Sequence, residues 1–201
     1  MRKIISLAVV ALLASSMSAQ TIANMKDLNA EKKSAAINLK LTGTLTTTKN
    51  SDFRQLRDLC WQLRNLDLSE STCPVLPKNA FHSRHHLQHI ILPNQLQEIG
   101  TQAFFACDNL QEVEIPKSVT KVGAAAFSGC KSLKNITIEG TPEIGEFAFA
   151  NLEGVQVFKV NSSVPPKAAA TAFSGVNMRG VKLVMPRGSE KAYRKAQGWK
   201  A

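Results

Sequence analysis

The sequence predicts an α/β solenoid, in which short parallel strands stack on one face and helical turns form the other. The first observation is an apolar string, Leu110, Val113 and Ile115, that returns about every 23 residues. The second is that Ile-Gly or Val-Gly and then Ala-Phe follow each string, with Pro directly after the string in two of the three repeats. A fixed period in this range is the signature of a solenoid, whose stacked coils offer a broad recognition surface.

Each repeat divides into a strand and a bend. The strand is predicted from Leu110, Val113 and Ile115, which point inward, and it ends at Pro116 because proline has no N–H to donate. Gly123 then permits the chain to bend. Seven such strands are expected between about residues 39 and 185.

The helical turn follows the bend. Ala126 is small enough to let neighbouring coils approach, and Phe127 is predicted to fill the interior. The equivalent phenylalanines are expected to form one interior column: Phe81, Phe104, Phe127, Phe149 and Phe173.

The N-terminal end of the solenoid needs a cap, because a terminal coil leaves its core open. Ser51 and Asp52 are predicted to cap the start of a helix. Its apolar residues at helical spacing are Phe53, Leu56, Leu59, Cys60 and Leu63. Before it, Ile22, Met25 and Leu28 are expected to cover the open end.

The C-terminal end is predicted to close with a second helix. Ser189 is the expected N-cap of a helix over residues 190–197, and Gly198 is the expected C-cap. The residues expected to seal the core are Tyr193, Ala196 and Trp199.

The first 19 residues are predicted to be a secretory signal. Arg2 and Lys3 precede an apolar run over residues 4–14, which is too short to span a bilayer. No other apolar run approaches membrane length, so no membrane span is expected. After cleavage, the chain is predicted to form one domain with a capping segment (20–62), repeats (63–186) and a capping helix (187–201).

Four cysteines in an exported chain raise the question of disulfides. Cys107 and Cys130 occupy the same position of neighbouring repeats, and Leu152 takes that position in the next one. Because leucine is apolar, this position is predicted to be a packing slot that holds free thiols. Cys60 and Cys73 are placed outside the repeat register, and a bond between these two stays open.

The formal net charge is +10, with lysine and arginine scattered along the chain. A solvated surface is the favoured interpretation, and acidic partners remain an alternative. The chain has one tyrosine and two tryptophans, which do not form the aromatic and basic pattern of nucleic-acid binders. No nucleic acid is therefore expected as a partner.

The repeat motif, with Leu-Pro or Ile-Pro, then Ile-Gly or Val-Gly, then Ala-Phe and Cys, resembles the BspA-type leucine-rich repeat family. The segments 41–45, 66–69 and 164–199 also look like parts of such proteins. The resemblance implies a right-handed leucine-rich-repeat solenoid and a secreted or cell-surface binding protein of Gram-negative anaerobes. Some relatives are adhesins for matrix proteins or other bacteria. Because no anchoring domain follows Trp199, release or a periplasmic location is also expected.

The binding site is predicted on the outward strand positions. These are Asp67, Ile91, Glu114, Thr137, Lys159 and Val184, with a flanking row of Asn65, His89, Glu112, Asn135, Val157 and Lys182. The expected partner is a protein or a glycan, bound by a monomer. The alternative is that these positions are simply the solvated side of a sheet.

A metal site is the rival hypothesis. Four histidines fall in one eight-residue window: His82, His85, His86 and His89. Neutral imidazoles bind zinc or copper, but the window crosses from a turn into a strand and contains no acidic residue or cysteine. An exposed loop is favoured, with a metal-binding protein and a structural envelope component as the alternatives. No catalytic or phosphate-binding motif is present, so neither an enzyme nor a cofactor is expected.

Overall fold

The computed structural model describes residues 21–27, 36–47 and 51–199, so the predicted signal segment and Leu28 lie outside the described residues. In chain order the elements are β1 (Thr21–Ala23), a 3₁₀ turn (Met25–Asp27), β2 (Asn38–Thr44), α1 (Asp52–Leu59), β3 (Asn65–Thr72), β4 (Val75–Leu76), β5 (His89–Ile91), β6 (Glu98–Ile99), β7 (Glu112–Ile115), β8 (Lys121–Val122), β9 (Asn135–Ile138), β10 (Glu143–Ile144), β11 (Val157–Val160), a 3₁₀ turn (Met178–Gly180), β12 (Lys182–Val184) and α2 (Glu190–Lys195). Within these ranges, no helix combines the length and apolarity needed to cross a bilayer.

The main sheet is parallel and has eight strands in the order β1-β2-β3-β5-β7-β9-β11-β12. The seven predicted strands are confirmed as β2, β3, β5, β7, β9, β11 and β12. Strand β1 was not predicted; it extends the sheet at its N-terminal edge by pairing Thr21 with Leu39 and Ala23 with Leu41. Three residues next to the predicted signal segment show no repeat period, which is why β1 was not predicted.

A second parallel sheet forms another side of the solenoid, and the sequence analysis treated its residues only as bends. It consists of β4, β6, β8 and β10, each two residues long. Beyond its strands, Gly123 N–H donates to the carbonyl of Ile99 at 2.7 Å, and Gly145 N–H donates to that of Val122 at 2.8 Å. Pairs this short contain too few residues to show a period of two.

The Ala-Phe segments form the third side, as hydrogen-bonded turns where helical turns are expected. Their backbone N–H groups also bond between coils. Phe104 N–H donates to the carbonyl of Ala126 at 2.7 Å, and Phe127 N–H donates to that of Ala148 at 2.8 Å. Each coil is therefore hydrogen-bonded to its neighbours on all three sides.

The phenylalanine column is confirmed. Successive rings from Phe81 to Phe173 stack at centroid distances of 5.2, 5.0, 5.3 and 5.8 Å, and no two neighbours are tilted by more than 18°. All five rings are buried. The stack follows directly from the sequence period, since one phenylalanine per coil occupies one position of the cross-section.

At the N-terminal end, the Ser51 hydroxyl accepts from Arg54 N–H at 3.2 Å and caps α1 as predicted. Met25 is buried, in agreement with its predicted covering role. Leu59 differs from the prediction, because it is 40% exposed. The helix ends there, and Cys60, four residues after Leu56, takes the inward position instead.

At the C-terminal end, Tyr193 and Trp199 are buried and seal the core as predicted, while Ala196 is partly buried against it. The Trp199 indole lies edge-on to Phe158 at 5.8 Å. The prediction for Ser189 was wrong in its mechanism, because its hydroxyl donates to the carbonyl of Pro186 at 2.5 Å and does not cap α2. Its backbone is already helical, which keeps the hydroxyl from the free N–H groups.

All four cysteines are buried free thiols, as predicted for Cys107 and Cys130. Placing Cys60 outside the repeat register was wrong. Leu63 N–H donates to the carbonyl of Cys60 at 3.1 Å, and Leu110 N–H donates to that of Cys107 at 3.0 Å, so both cysteines hold the same position. The longer connection through α1 obscured this register. Cys73 is outside the slot, and its thiol donates to the carbonyl of Val75 at 3.0 Å.

We expect the native protein to be inert towards Ellman's reagent at pH 8 and all four thiols to react after denaturation. Burial raises the pKa of the Cys107 thiol to about 12 and that of Cys73 to about 11. A pKa of about 12 leaves only about one thiol in ten thousand ionised at pH 8. Rapid labelling of Cys107 in the folded protein, or a Cys107–Cys130 bond found by mass mapping, would contradict the packing-slot interpretation.

Candidate functional site

The predicted binding positions lie in one line across the main sheet. Strand register places Asp67 beside Ile91, and it pairs Lys159 with both Thr137 and Val184. Strands β5 and β7 pair at His89 and Glu112, a register that sets Ile91 opposite Glu114. We call this line the central row: Lys40, Asp67, Ile91, Glu114, Thr137, Lys159 and Val184.

Lys40 is a member of the central row that the sequence analysis missed. It pairs with Asp67 in the sheet, and the outward direction follows from its place between the buried Leu39 and Leu41. Its ammonium lies 2.6 Å from a Glu70 carboxylate oxygen and 3.9 Å from Asp67. The hydrogen bond to Glu70 raises the pKa of Lys40.

A second row runs beside the central row, two residues earlier in each strand: Asn38, Asn65, His89, Glu112, Asn135, Val157 and Lys182. Asn65 donates through its amide to the Asn38 side-chain oxygen at 2.5 Å. His89 Nδ1 lies 3.7 Å from a Glu112 carboxylate oxygen. The two rows together are called the strand face, and polar side chains dominate it.

Negative charge is concentrated in the middle of the strand face. Glu114 is an exposed residue, and partial burial of its carboxyl group raises its pKa. The neighbouring carboxylates of Glu139 and Glu112 raise this pKa further, whereas the Lys159 ammonium lowers it. The surface therefore presents an acidic centre next to a basic C-terminal part that contains Lys159 and Lys182.

The four histidines do not converge. His82 stacks on Phe105 at 5.0 Å, and His85 Nδ1 lies 2.9 Å from an Asp108 carboxylate oxygen. His89 points onto the strand face, and His86 is exposed. Among the described residues, no three His, Cys, Asp or Glu side chains are placed to hold one metal ion.

The acidic neighbours of the histidines were not predicted, because they lie outside the histidine window. Asp108 and Glu112 each stand one repeat after His85 and His89, respectively. The period would have found both pairs, because equivalent residues of adjacent coils lie side by side.

A shallow cavity of about 490 Å³ lies between the last regular coil and the C-terminal cap, lined by residues 143–146, 165–169, 196 and 197. Its lining residues include no imidazole, thiol or hydroxyl side chain. Glu143 and Lys167 form an exposed ion pair there at 3.4 Å.

The chain is similar to known leucine-rich repeat proteins. The BspA type Leucine rich repeat region matches residues 46–179, in six copies. A solved leucine-rich repeat protein from Bacteroides ovatus is similar at 14% sequence identity and a TM-score of 0.33, over 72% of this chain. The match spans 60% of that protein. No curated protein matches the chain.

Proposed function

The chain belongs to the BspA-type leucine-rich repeat family, and on that premise we propose that it is an exported, non-enzymatic module that binds a protein or glycan through its strand face. Leucine-rich repeats are typical scaffolds for protein interaction, and their stacked coils form extended recognition surfaces. The observation that supports binding through the strand face is the geometry of that face. Seven outward positions form a line on the order of 30 Å long, given a strand spacing of about 4.8 Å.

The residues of the central row are free to serve recognition because the core does not need them. In β7 and β11 the buried and outward residues alternate, so that Val113 and Phe158 fill the core while Glu114 and Lys159 face solvent. Inter-coil hydrogen bonds hold the outward residues on a rigid sheet. A partner would therefore meet a preorganised surface and lose little binding free energy to ordering it.

The chemistry of the face suits a partner with both polar and apolar groups. Ile91 supplies a half-buried aliphatic side chain beside the carboxylate of Glu114. Thr137 and Lys159 then provide a hydroxyl and an ammonium along the same line. We propose that this mixture supports an adhesion-like role at the cell surface or after secretion.

The test begins with a pull-down that uses the tag-free protein against host matrix proteins and envelope fractions. For a captured partner, we expect Glu114→Lys combined with Ile91→Asp to weaken binding at least about tenfold, since interface energy concentrates in a few central residues. The melting temperature should stay unchanged, because neither side chain fills the core.

A matched control applies the same two chemical changes elsewhere. Glu153 and Val164 are exposed outside the strand face, so Glu153→Lys with Val164→Asp should leave the affinity unchanged. Parental affinity in the strand-face variant, or an equal loss in the control, would place the binding site elsewhere.

A further inference from the structure

Three large apolar side chains are exposed at one corner of the solenoid. Ile37, Leu59 and Trp61 are 44%, 40% and 54% exposed, respectively. Among the described residues, only two other large apolar side chains, Phe147 and Val164, are similarly exposed, and both are far along the chain. We call Ile37, Leu59, Trp61 and Arg64 the Trp61 patch.

Backbone contacts bring the patch together where α1 leads into β3. Arg64 N–H donates to the carbonyl of Ile37 at 2.8 Å, which joins two neighbouring coils at this point. Leu63 N–H closes a tight turn onto the carbonyl of Cys60 at 3.1 Å, and Trp61 stands within that turn. Leu59 is the last residue of α1.

Folding does not require a tryptophan at this position. The core beside it is already filled by Leu56, Cys60 and Leu63, which are all buried. In the following coils, the residue equivalent to Trp61 is polar or charged: His85, Asp108, Lys131 and Glu153. Trp61 therefore places an indole where the other coils carry a polar side chain, close to the exposed aliphatic side chains of Ile37 and Leu59.

The patch is positively charged. On the preceding helix, the Asp58 carboxylate lies 3.5 Å from the Arg54 guanidinium and 2.8 Å from that of Arg57, so it pairs with both. Arg64 is exposed and has no acidic partner among the described residues. The Arg64 guanidinium therefore leaves an unbalanced positive charge three residues from Trp61 in the chain.

We propose that the Trp61 patch is a docking site for an acidic polypeptide segment that contains aromatic or aliphatic side chains. Tryptophan and arginine are the residue types that most often dominate protein interfaces. Guanidinium groups bind carboxylates in a two-pronged geometry, which favours Asp and Glu side chains. Ile37 and Leu59 favour a polypeptide over a sulfated glycan, since aliphatic groups gain only by covering other apolar surface. This surface does not depend on the proposed strand-face function.

The probe for the test is a random copolymer of glutamate and tyrosine, titrated into the purified protein. Trp199 is only 2% exposed, so a change in tryptophan fluorescence reports on Trp61. Saturable binding that weakens as salt is added is expected, because exposed charges are screened. Trp61→Ala and Arg64→Glu should each lower the affinity at least about tenfold.

Matched controls are Val164→Ala and Lys191→Glu, which remove an exposed apolar group and an exposed cation elsewhere. Neither control should change the affinity. The variants at Trp61, Arg64, Val164 and Lys191 should all have the melting temperature of the parent, because these side chains are exposed. The strand-face pair Glu114→Lys and Ile91→Asp should also leave copolymer binding intact, so the two surfaces are tested separately.

Four results would overturn the proposal. Polyglutamate that binds as tightly as the copolymer would show that charge alone is recognised, and heparin of equal affinity would favour anionic glycans. Failure of acrylamide to quench Trp61 in the free protein would show that the patch is already covered. Self-association that Trp61→Ala abolishes, measured by sedimentation, would make a second copy the occupant.

Discussion

Replacing Phe127 with alanine is expected to lower the free energy of unfolding by about 3–5 kcal/mol. The ring is fully buried and stacks between Phe104 at 5.0 Å and Phe149 at 5.3 Å, so its removal breaks two contacts in the column. The hydrogen bond from Phe127 N–H to the carbonyl of Ala148, at 2.8 Å, helps fix the spacing between the coils. The void therefore cannot collapse fully, and the cavity adds to the lost burial.

Chemical denaturation followed by circular dichroism measures this change. The matched control is Phe147→Ala, which removes a neighbouring ring that is exposed and outside the column. The control should change the free energy of unfolding by less than about 1 kcal/mol. Equal losses in the two variants would show that the phenylalanine column does not dominate the stability of the solenoid.

Gly123→Ala is expected to destabilise the protein by at least about 3 kcal/mol, at the upper end of the usual penalty for overpacking. A Cβ atom there would lie 2.6 Å from the backbone nitrogen of Thr101 and 2.7 Å from the carbonyl carbon of Gly100. Both atoms belong to the neighbouring coil, so relief requires the coils to separate beside the second sheet. That separation would lengthen the 2.7 Å hydrogen bond from Gly123 N–H to Ile99.

Gly129→Ala is the control for this second prediction, measured by the same denaturation experiment. Gly129 has a φ of +75°, but the nearest atom to a new Cβ would be 3.8 Å away, at Ala106. Only the left-handed backbone penalty of about 1–2 kcal/mol remains. If Gly129→Ala destabilised the protein as much as Gly123→Ala, close approach of the coils would not be the reason for glycine at 123.

The repeat period made most of the fold predictable. Leu110 and Phe127 recur at constant spacing, so their inward direction and their stacking on equivalent residues follow from one periodic pattern. The same period located the central row through Glu114 and its neighbours. What binds there was not predictable, because a solvated sheet position and a recognition position have the same strand geometry.

The wrong or missing predictions fall where the period is interrupted. Leu59 is the last residue of α1 and Cys60 follows it. This helix lengthens one coil, and helical spacing alone could not decide which of the two residues faces the core. Ser189 has a common capping residue type, but its backbone conformation directs the hydroxyl to Pro186. The residue type sets which hydrogen bonds a side chain can make, whereas the backbone conformation decides which of them it makes.

The sequence by itself determined the coil length, seven strands of the main sheet and the phenylalanine column, because each of these repeats with the period. The period places equivalent residues of adjacent coils side by side, but only the tertiary structure decided which of their polar side chains come within ion-pair distance. Glu98 lies 3.0 Å from Lys121 in the second sheet, and His85 lies 2.9 Å from Asp108 on the rim. It also brought Ile37 beside Arg64 and left Trp61 exposed, since parallel stacking makes neighbours of residues about one coil apart in the chain.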